Sequence, residues 1–253
     1  MMKHPLLLLS LILNLLLLSC LGYITYKMGY LGRFLIAATG DQFATPTDTL
    51  SAQPMWQETV RFQQMIADHH HFKACLFGDS ISAQIENTLG NDTYNFAIPG
   101  MSTLSLLEQL DALKAVQPTC DLAILAIGTN DAAYRTNEAQ FERNLKQIIA
   151  ILRSSMGTQQ IVLLPVFYST VAASHDPSIA GTLERVEAIN ARLEQVASKE
   201  HLPLQKDATQ ALFAGQALRA DLTVDGVHLN LLGRQIYRTA LLRLVHTHEP
   251  LHE

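Results

Sequence analysis

A serine, a histidine and an aspartate in this chain have the types and spacing of a nucleophilic site. Ser80 directly follows a short apolar run, and Asp225 precedes His228 by three residues, close enough to reach it within one turn. A serine hydroxyl is a poor nucleophile until a base takes its proton, and a histidine held in one tautomer does this near neutral pH. These residues predict an acyl-transfer triad of Ser80, His228 and Asp225, with Asp221 as the alternative acid.

Acyl transfer from a serine also needs hydrogen-bond donors for the oxyanion that forms. The candidates are the backbone N–H groups of Ser80 and Gly100 and the side-chain amide of Asn130. Each of these residues follows a predicted strand, and the carboxyl ends of parallel strands lie at one edge of a sheet. Taken alone, Asp79 or Ser80 would be interpreted as the cap of the next helix. The distant motifs favour the nucleophile and leave Asp79 a structural role in the turn.

The segments between these residues predict the elements that position them. Apolar runs alternate with segments of helical periodicity, which indicates parallel strands, helical crossovers and a doubly wound three-layer α/β/α sandwich. We expect a five-stranded parallel sheet, with strands at residues 72–77, 94–97, 122–127, 161–166 and 202–204. We expect helices over 56–66, 82–89, 182–199 and 230–246 and after residues 102 and 137, with an irregular loop over 168–181.

Four short motifs follow one another along the chain: Gly78-Asp79-Ser80-Ile81, Gly100, Gly128-Thr129-Asn130-Asp131 and Asp225-Gly226-Val227-His228. In this order they resemble the four sequence blocks of the SGNH (GDSL-type) hydrolases, and the resemblance covers about residues 72–244. It implies a flavodoxin-like sandwich, an esterase or lipase activity, and no metal or organic cofactor. It also implies these roles: nucleophile for Ser80, base for His228, orienting acid for Asp225, and oxyanion donors for Gly100 and Asn130.

Two positions depart from the pattern of this family. Ile81 stands where many members have leucine, which we expect to be harmless. Leu229 stands where many members have proline, and we expect this change to loosen the loop that holds His228.

The first 54 residues differ in composition from the rest of the chain. Residues 5–26 are almost entirely apolar, and as a helix they would span about 33 Å, enough to cross the hydrocarbon core of a bilayer. We expect an uncleaved transmembrane anchor over residues 1–30, a linker rich in Thr, Ser and Pro over 31–54, and the hydrolase domain over 55–253. The alternatives are a cleaved signal peptide and a lipoprotein signal ending at Cys20. All three place the domain outside the cytoplasm, in the bacterial periplasm or secreted.

Composition excludes several classes of protein and site. The net charge is −5 and no basic stripe is present, which argues against a nucleic-acid partner. The three cysteines lack the spacing of a zinc site, and we expect Cys75 and Cys120 to be apolar strand residues, with a bridge between them as the less favoured alternative. His69, His70 and His71 would diverge by about 100° per residue on a helix, so no metal site is expected there.

The sequence therefore predicts a serine esterase that cleaves a carboxylic ester through an acyl-serine intermediate. The resemblance implies a range of small-molecule, glycan or lipid substrates, including O-acetyl glycans, short-chain acyl esters and lysophospholipids. One alternative is an O-acyltransferase of the same family, in which a sugar hydroxyl replaces water. Another is a non-catalytic module that binds a glycan or a partner, although binding alone requires no nucleophile, base and acid together.

Overall fold

The computed structural model describes residues 5–27, 48–176 and 179–248. Contacts divide the chain into two compact units, Met1–Thr45 and Pro46–Glu253. In the first unit, helix α1 runs over Pro5–Lys27. None of the helices within the described residues has both the length and the apolar character that a bilayer crossing requires. The predicted transmembrane helix is therefore not supported.

The second unit is built on a four-stranded parallel sheet in the order β2-β1-β3-β4. Its strands are β1 (His71–Gly78), β2 (Thr93–Asn95), β3 (Thr119–Ala126) and β4 (Gln160–Leu163). The two central strands pair from His71 and Thr119 to Gly78 and Ala126, so that they end at the same level. The strand order reverses between β1 and β3, and ligands of such sheets bind outside the carboxyl ends at this place.

The prediction of a fifth strand is wrong, because the described part of the chain gives this sheet four strands. The segment over residues 202–204 forms only one parallel bridge, between Leu163 and Leu204. Pro203 lies in this segment and has no N–H group to donate, although its carbonyl accepts from the Leu163 N–H at 2.9 Å. Two short strands, β5 (Phe213–Ala214) and β6 (Ala217–Leu218), form a separate antiparallel pair.

Helices cover both faces of the sheet and give the chain the predicted α/β architecture. One core lies under four helices: α2 (Pro54–Ala67), α4 (Thr103–Lys114), α6 (Glu138–Ser155) and α8 (Leu183–Lys199). The opposite core lies under α9 (Leu231–Thr247) and a 3-10 helix over Asp207–Leu212. Polar side chains cap the N-termini of α4, α6, α8 and α9, as the sequence predicts for such residues: Ser102, Asn137, Thr182 and Asn230.

Three short helices lie at the carboxyl edge of the sheet: α3 (Ser80–Ala83), α5 (Thr129–Ala133) and α7 (Val171–Ser174). The first is shorter than predicted, and the other two were not predicted. The helix expected over residues 82–89 is only the single turn α3, and Glu86 beyond it has a positive φ of 54°, which breaks helical geometry. The loop expected over 168–181 contains α7, which Thr170 caps through its hydroxyl.

Cys75 and Cys120 form a disulfide across the two central strands. We expected them to be unpaired apolar residues, and that expectation is wrong. Both side chains belong to the same core, and their Cα atoms are 6.3 Å apart, within the range that a disulfide can bridge. The shared core and the short distance arise only when β1 and β3 lie side by side, and neither can be derived from the spacing of the two cysteines.

Candidate active site

A tight turn at the end of β1 holds Ser80 at the edge of the sheet. A Cβ atom at Gly78 would lie 2.6 Å from the hydroxyl oxygen of Ser82, so only glycine fits there. Asp79 caps α3 by accepting a hydrogen bond from the Ile81 N–H at 3.0 Å. Burial raises the pKa of Asp79 to about 6, although this hydrogen bond opposes the rise. The carboxyl group of Asp79 is thus a buried part of the turn.

The structure brings together Ser80, His228 and Asp225. The Ser80 Oγ atom lies 2.8 Å from His228 Nε2, and His228 Nδ1 lies 2.7 Å from Asp225 Oδ2. An ionised carboxylate can only accept, so Nδ1 carries the proton and Nε2 is left to accept from the serine hydroxyl. The geometry can therefore pass a proton from the serine to the histidine.

Asp225 also organises the backbone of its own loop. Its Oδ1 atom accepts from the N–H groups of Val227 at 2.9 Å and His228 at 2.8 Å. Partial burial acts to raise the pKa of Asp225, but the hydrogen bonds from His228 and Val227 outweigh it and hold the pKa below its usual value. The alternative acid, Asp221, instead contacts Arg219, with 2.6 Å between Oδ2 and Nη2.

The loop that carries His228 is attached to the domain at several points. The carbonyl of His228 accepts from the Thr223 hydroxyl at 2.7 Å and from the Val224 N–H at 3.0 Å. Leu229 is only 1% exposed and forms a bridge with Thr223. Burial and pairing thus anchor the position at which we expected the loop to loosen.

The candidate oxyanion donors come from segments that meet at Ser80. Asn130 lines one depression together with Ser80 and His228, and Pro99, which precedes Gly100, lines another with the same two residues. Asn130 donates one amide hydrogen to the Met101 carbonyl at 3.0 Å, which leaves its second amide hydrogen for a ligand. Gly100 has a positive φ of 83°, and its carbonyl accepts from the Tyr134 hydroxyl at 3.0 Å. Within the described part of the chain, the N–H groups of Ser80 and Gly100 donate to no other residue. These donors are available to an oxyanion.

Asp131 connects the segments that carry Asn130 and Gly100. Its two carboxylate oxygens accept from the Thr103 hydroxyl at 2.6 Å and from the Thr103 N–H at 2.9 Å, at the start of α4. Asn144 in turn donates to the Thr103 hydroxyl at 3.0 Å. Complete burial raises the pKa of Asp131 to about 6, although the hydrogen bonds from Thr103 lower it in part. A buried carboxyl group thus joins two of the oxyanion segments.

The family to which the chain belongs follows from its sequence profile. Residues 76–236 match the GDSL-like lipase/acylhydrolase family, and this span contains Ser80, Asn130, Asp225 and His228. The chain belongs to the GDSL-like lipase/acylhydrolase family. Membership makes it an ester hydrolase, and the resemblance inferred from the four motifs is confirmed. Among curated proteins, no sequence matches the chain.

Solved structures of GDSL-like hydrolases have a similar fold. A GDSL-like lipase from Bacteroides thetaiotaomicron is 20% identical, with a TM-score of 0.59 over 81% of this chain and 99% of that one. A lipase/acylhydrolase from Enterococcus faecalis is 19% identical, with a TM-score of 0.55 over 73% and 99% of the two chains. A catalytic mutant of Axe2, an acetylxylan esterase from Geobacillus stearothermophilus, is 17% identical, with a TM-score of 0.52 over 70% and 96%. At these identities the likeness extends to the fold.

Sequence reasoning missed Asp48, which contacts the oxyanion segment of this GDSL-like hydrolase from outside the predicted domain. Its carboxylate accepts from the Ser102 hydroxyl and from the Ser105 N–H, the latter at 3.3 Å. Its other oxygen accepts from the Leu50 N–H at 2.9 Å, and the Leu50 side chain lies against Gly100. We had placed residues 48–54 in the linker. No sequence signal links Asp48 to a serine that follows it by 54 residues.

The histidine run spans the turn between α2 and β1. Helix α2 ends at Ala67, and His71 opens β1, where its Nε2 atom lies 3.2 Å from Asp121 Oδ2. The described side chains include no group of three His, Cys, Asp or Glu residues that could hold a metal ion.

Two depressions of different shape meet at Ser80 and His228. One is an enclosed cavity of about 70 Å³. The other is an open groove of about 490 Å³, which also contacts Gln84, Pro99 and Asp225. An ester bound at Ser80 has two parts, an acyl group and an alcohol, and each part has a depression beside the nucleophile.

Proposed function

We propose that the chain is a serine esterase that hydrolyses a carboxylic ester through an acyl-serine intermediate. The observation that carries the proposal is the continuous hydrogen-bonded path from Ser80 through His228 to Asp225, with contacts of 2.8 and 2.7 Å. A module that only bound a glycan or a partner would need no such path. The candidate substrates are O-acetyl glycans, short-chain acyl esters and lysophospholipid esters.

In the first half of this mechanism, the serine attacks the ester carbonyl while His228 Nε2 takes the hydroxyl proton. The imidazolium that forms is stabilised by the Asp225 carboxylate. The carbonyl oxygen becomes an oxyanion, which the N–H groups of Ser80 and Gly100 and the amide of Asn130 would bind. His228 then gives its proton to the leaving alcohol as the carbon–oxygen bond breaks.

In the second half, a water molecule replaces the alcohol. His228 takes a proton from this water, whose oxygen attacks the acyl carbon, and the same donors bind the second oxyanion. Collapse of this intermediate returns the proton to Ser80 Oγ and releases the carboxylic acid. If a sugar hydroxyl replaced the water, the same steps would perform acyl transfer.

The test is hydrolysis of p-nitrophenyl acetate by the full-length chain and by Ser80→Ala. We expect the substitution to lower kcat by about 10⁴-fold or more, since the other triad residues cannot act without the nucleophile. Ser154→Ala removes an exposed hydroxyl on α6 and should leave activity unchanged. Equal turnover by Ser80→Ala, or a fluorophosphonate adduct on another residue, would refute the assignment.

We further propose that the domain works outside the cytoplasm. The disulfide between Cys75 and Cys120 supports this location, because disulfides persist in oxidising compartments and are rare in the cytosol. In acid-quenched cells, neither cysteine should react with a maleimide before reduction, and both should react afterwards. Labelling without reductant would contradict the proposed location.

A further inference from the structure

The enclosed cavity beside Ser80 has room for only a few atoms. Its volume of about 70 Å³ is about half of the roughly 150 Å³ of an engineered cavity that binds benzene, so about three carbon atoms fit. The residues that line it come from four segments of the carboxyl edge of the sheet. Those that matter below are Ser80, Ser169, Ile179, Gly181, Val186 and His228.

Close backbone contacts limit how far the walls of this cavity can move apart. A Cβ atom at Gly181 would lie 2.8 Å from the carbonyl carbon of Ala132, so the two backbones are already in contact. The Ala132 carbonyl also accepts from Arg185 Nε at 3.1 Å, which ties α5 to α8. Val186 is 3% exposed and packs in the main core. On the side of Gly181 and Val186, the cavity therefore cannot widen without disturbing packed elements.

The size of the two depressions decides which part of an ester each can hold. The leaving alcohol must lie near His228 Nε2 to receive a proton and must then escape to solvent. A sugar or glycerol unit is much larger than 70 Å³ of space, whereas the open groove offers about 490 Å³. The alcohol thus fits the groove, and the acyl group is left with the enclosed cavity.

A buried hydroxyl makes part of the cavity wall polar. Ser169 lines the cavity and is 4% exposed, and its Oγ atom has no hydrogen-bond partner in the described structure. A buried hydroxyl without a partner is unfavourable, and a hydrocarbon chain beside it would leave it without one. A short acyl group leaves space for a water molecule to bind this hydroxyl. The polarity of the wall and the volume of the cavity therefore both favour a short acyl group.

We propose that the enclosed cavity is the acyl site and that it restricts the substrate to esters of two- or three-carbon acids, acetyl above all. The alcohol part of the ester lies in the open groove. This inference rests on the proposed function, because only acyl transfer at Ser80 makes the cavity an acyl site. It excludes octanoyl esters and the long-chain lysophospholipids among the candidate substrates, since seven carbons beyond the carbonyl need about 175 Å³ at the volume per carbon of the benzene-binding cavity.

The experiment is a series of p-nitrophenyl esters, from acetate through propionate and butyrate to octanoate, hydrolysed by the full-length protein. The leaving group is constant, so differences in kcat/KM report the acyl site. A methylene group in a hydrophobic pocket changes discrimination by about 10- to 200-fold. We expect acetate or propionate to exceed octanoate by about 100-fold or more. Equal or greater kcat/KM for octanoate would overturn the inference.

A pair of valine variants on α8 tests whether the cavity sets this limit. Val186→Ala removes two methyl groups from the wall and should raise the butyrate-to-acetate ratio of kcat/KM about tenfold. Val196→Ala removes the same groups from a fully buried position that does not line the cavity, and should leave the ratio unchanged. If Val186→Ala does not fold, Ile179→Ala enlarges the cavity at a residue that is 47% exposed. The same shift in Val196→Ala, or no shift in either cavity variant, would contradict the proposal.

The outcomes separate this inference from the proposed function. If the native protein hydrolysed none of the esters, or if Ser80→Ala hydrolysed them equally well, the proposed esterase function would be refuted. Hydrolysis that depends on Ser80 but favours long chains would leave the esterase standing and refute only the acyl site.

Discussion

The buried carboxyl group of Asp131 allows a stability prediction whose size and sign follow from the structure. We consider Asp131→Asn, which keeps the shape of the side chain and removes its charge. The pKa of Asp131 rises from 3.8 to about 6 in the folded protein because the group is fully buried. Each pKa unit is equivalent to 1.36 kcal/mol, so this change corresponds to about 3 kcal/mol in total.

The sign of the effect follows from proton binding. Between pH 4 and 6 the folded protein binds a proton at Asp131 that the unfolded chain does not, and folding stability therefore rises as pH falls. The stabilisation that the bound proton provides is complete below pH 3.8 and is lost as pH rises through about 6. The free energy of unfolding of the native chain, minus that of Asp131→Asn, should thus increase by about 2 kcal/mol or more from pH 7 to pH 4. Asp79, with a pKa of about 6, is present in both proteins and largely cancels.

The assay is urea unfolding of both proteins at pH 4, 5, 6 and 7. Glu142→Gln is a control for the sign, because hydrogen bonds from Lys146 and Lys199 lower the pKa of Glu142. Its contribution to stability should be constant from pH 7 to about 5 and begin to be lost between pH 5 and 4, the opposite of Asp131. Hydrolysis of p-nitrophenyl acetate at pH 7 shows whether the Asn130 segment has moved. A constant difference between the native chain and Asp131→Asn at all four pH values would refute the reasoning.

Two further predictions concern the triad and the disulfide. Asp225→Asn should lower kcat by about 10⁴-fold, because an amide that donates to His228 Nδ1 would leave Nε2 protonated and unable to act as base. Steady-state kinetics beside an unchanged circular dichroism spectrum checks this, and a loss below tenfold would contradict the role of Asp225. Replacing Cys75 and Cys120 by serine should lower the free energy of unfolding by up to about 4 kcal/mol, since the disulfide joins residues that are 45 positions apart. Urea unfolding checks this value, and an unchanged midpoint would contradict it.

Most of the candidate site could be predicted from the sequence because its residues lie at strand ends or within one turn of each other. Apolar runs before Ser80 and Asn130 mark the ends of β1 and β3, and parallel strands place such ends at one edge. Asp225 and His228 are local neighbours, so their contact requires no knowledge of the fold. The cap residues likewise act on backbone groups two or three positions away.

The predictions that failed depend on contacts between distant residues. The disulfide needs β1 and β3 to lie side by side with both cysteines in one core. The missing fifth strand depends on how few hydrogen bonds the segment around Pro203 makes with β4. Asp48 reaches Ser102 across 54 positions of sequence. Local patterns carry no information about such pairs, because the energy of each contact appears only when the chain has packed.

The sequence by itself determined the α/β class, the first four strands of the sheet and the choice of Ser80, His228 and Asp225 as candidates for the site. Side-chain type and local periodicity suffice for these properties, since they depend on groups that are adjacent in the chain. Only the tertiary structure decided the size of the cavity beside Ser80, the unpartnered hydroxyl of Ser169 and the burial that raises the pKa of Asp131. These properties depend on the space left between packed segments, and that space exists only in the folded protein.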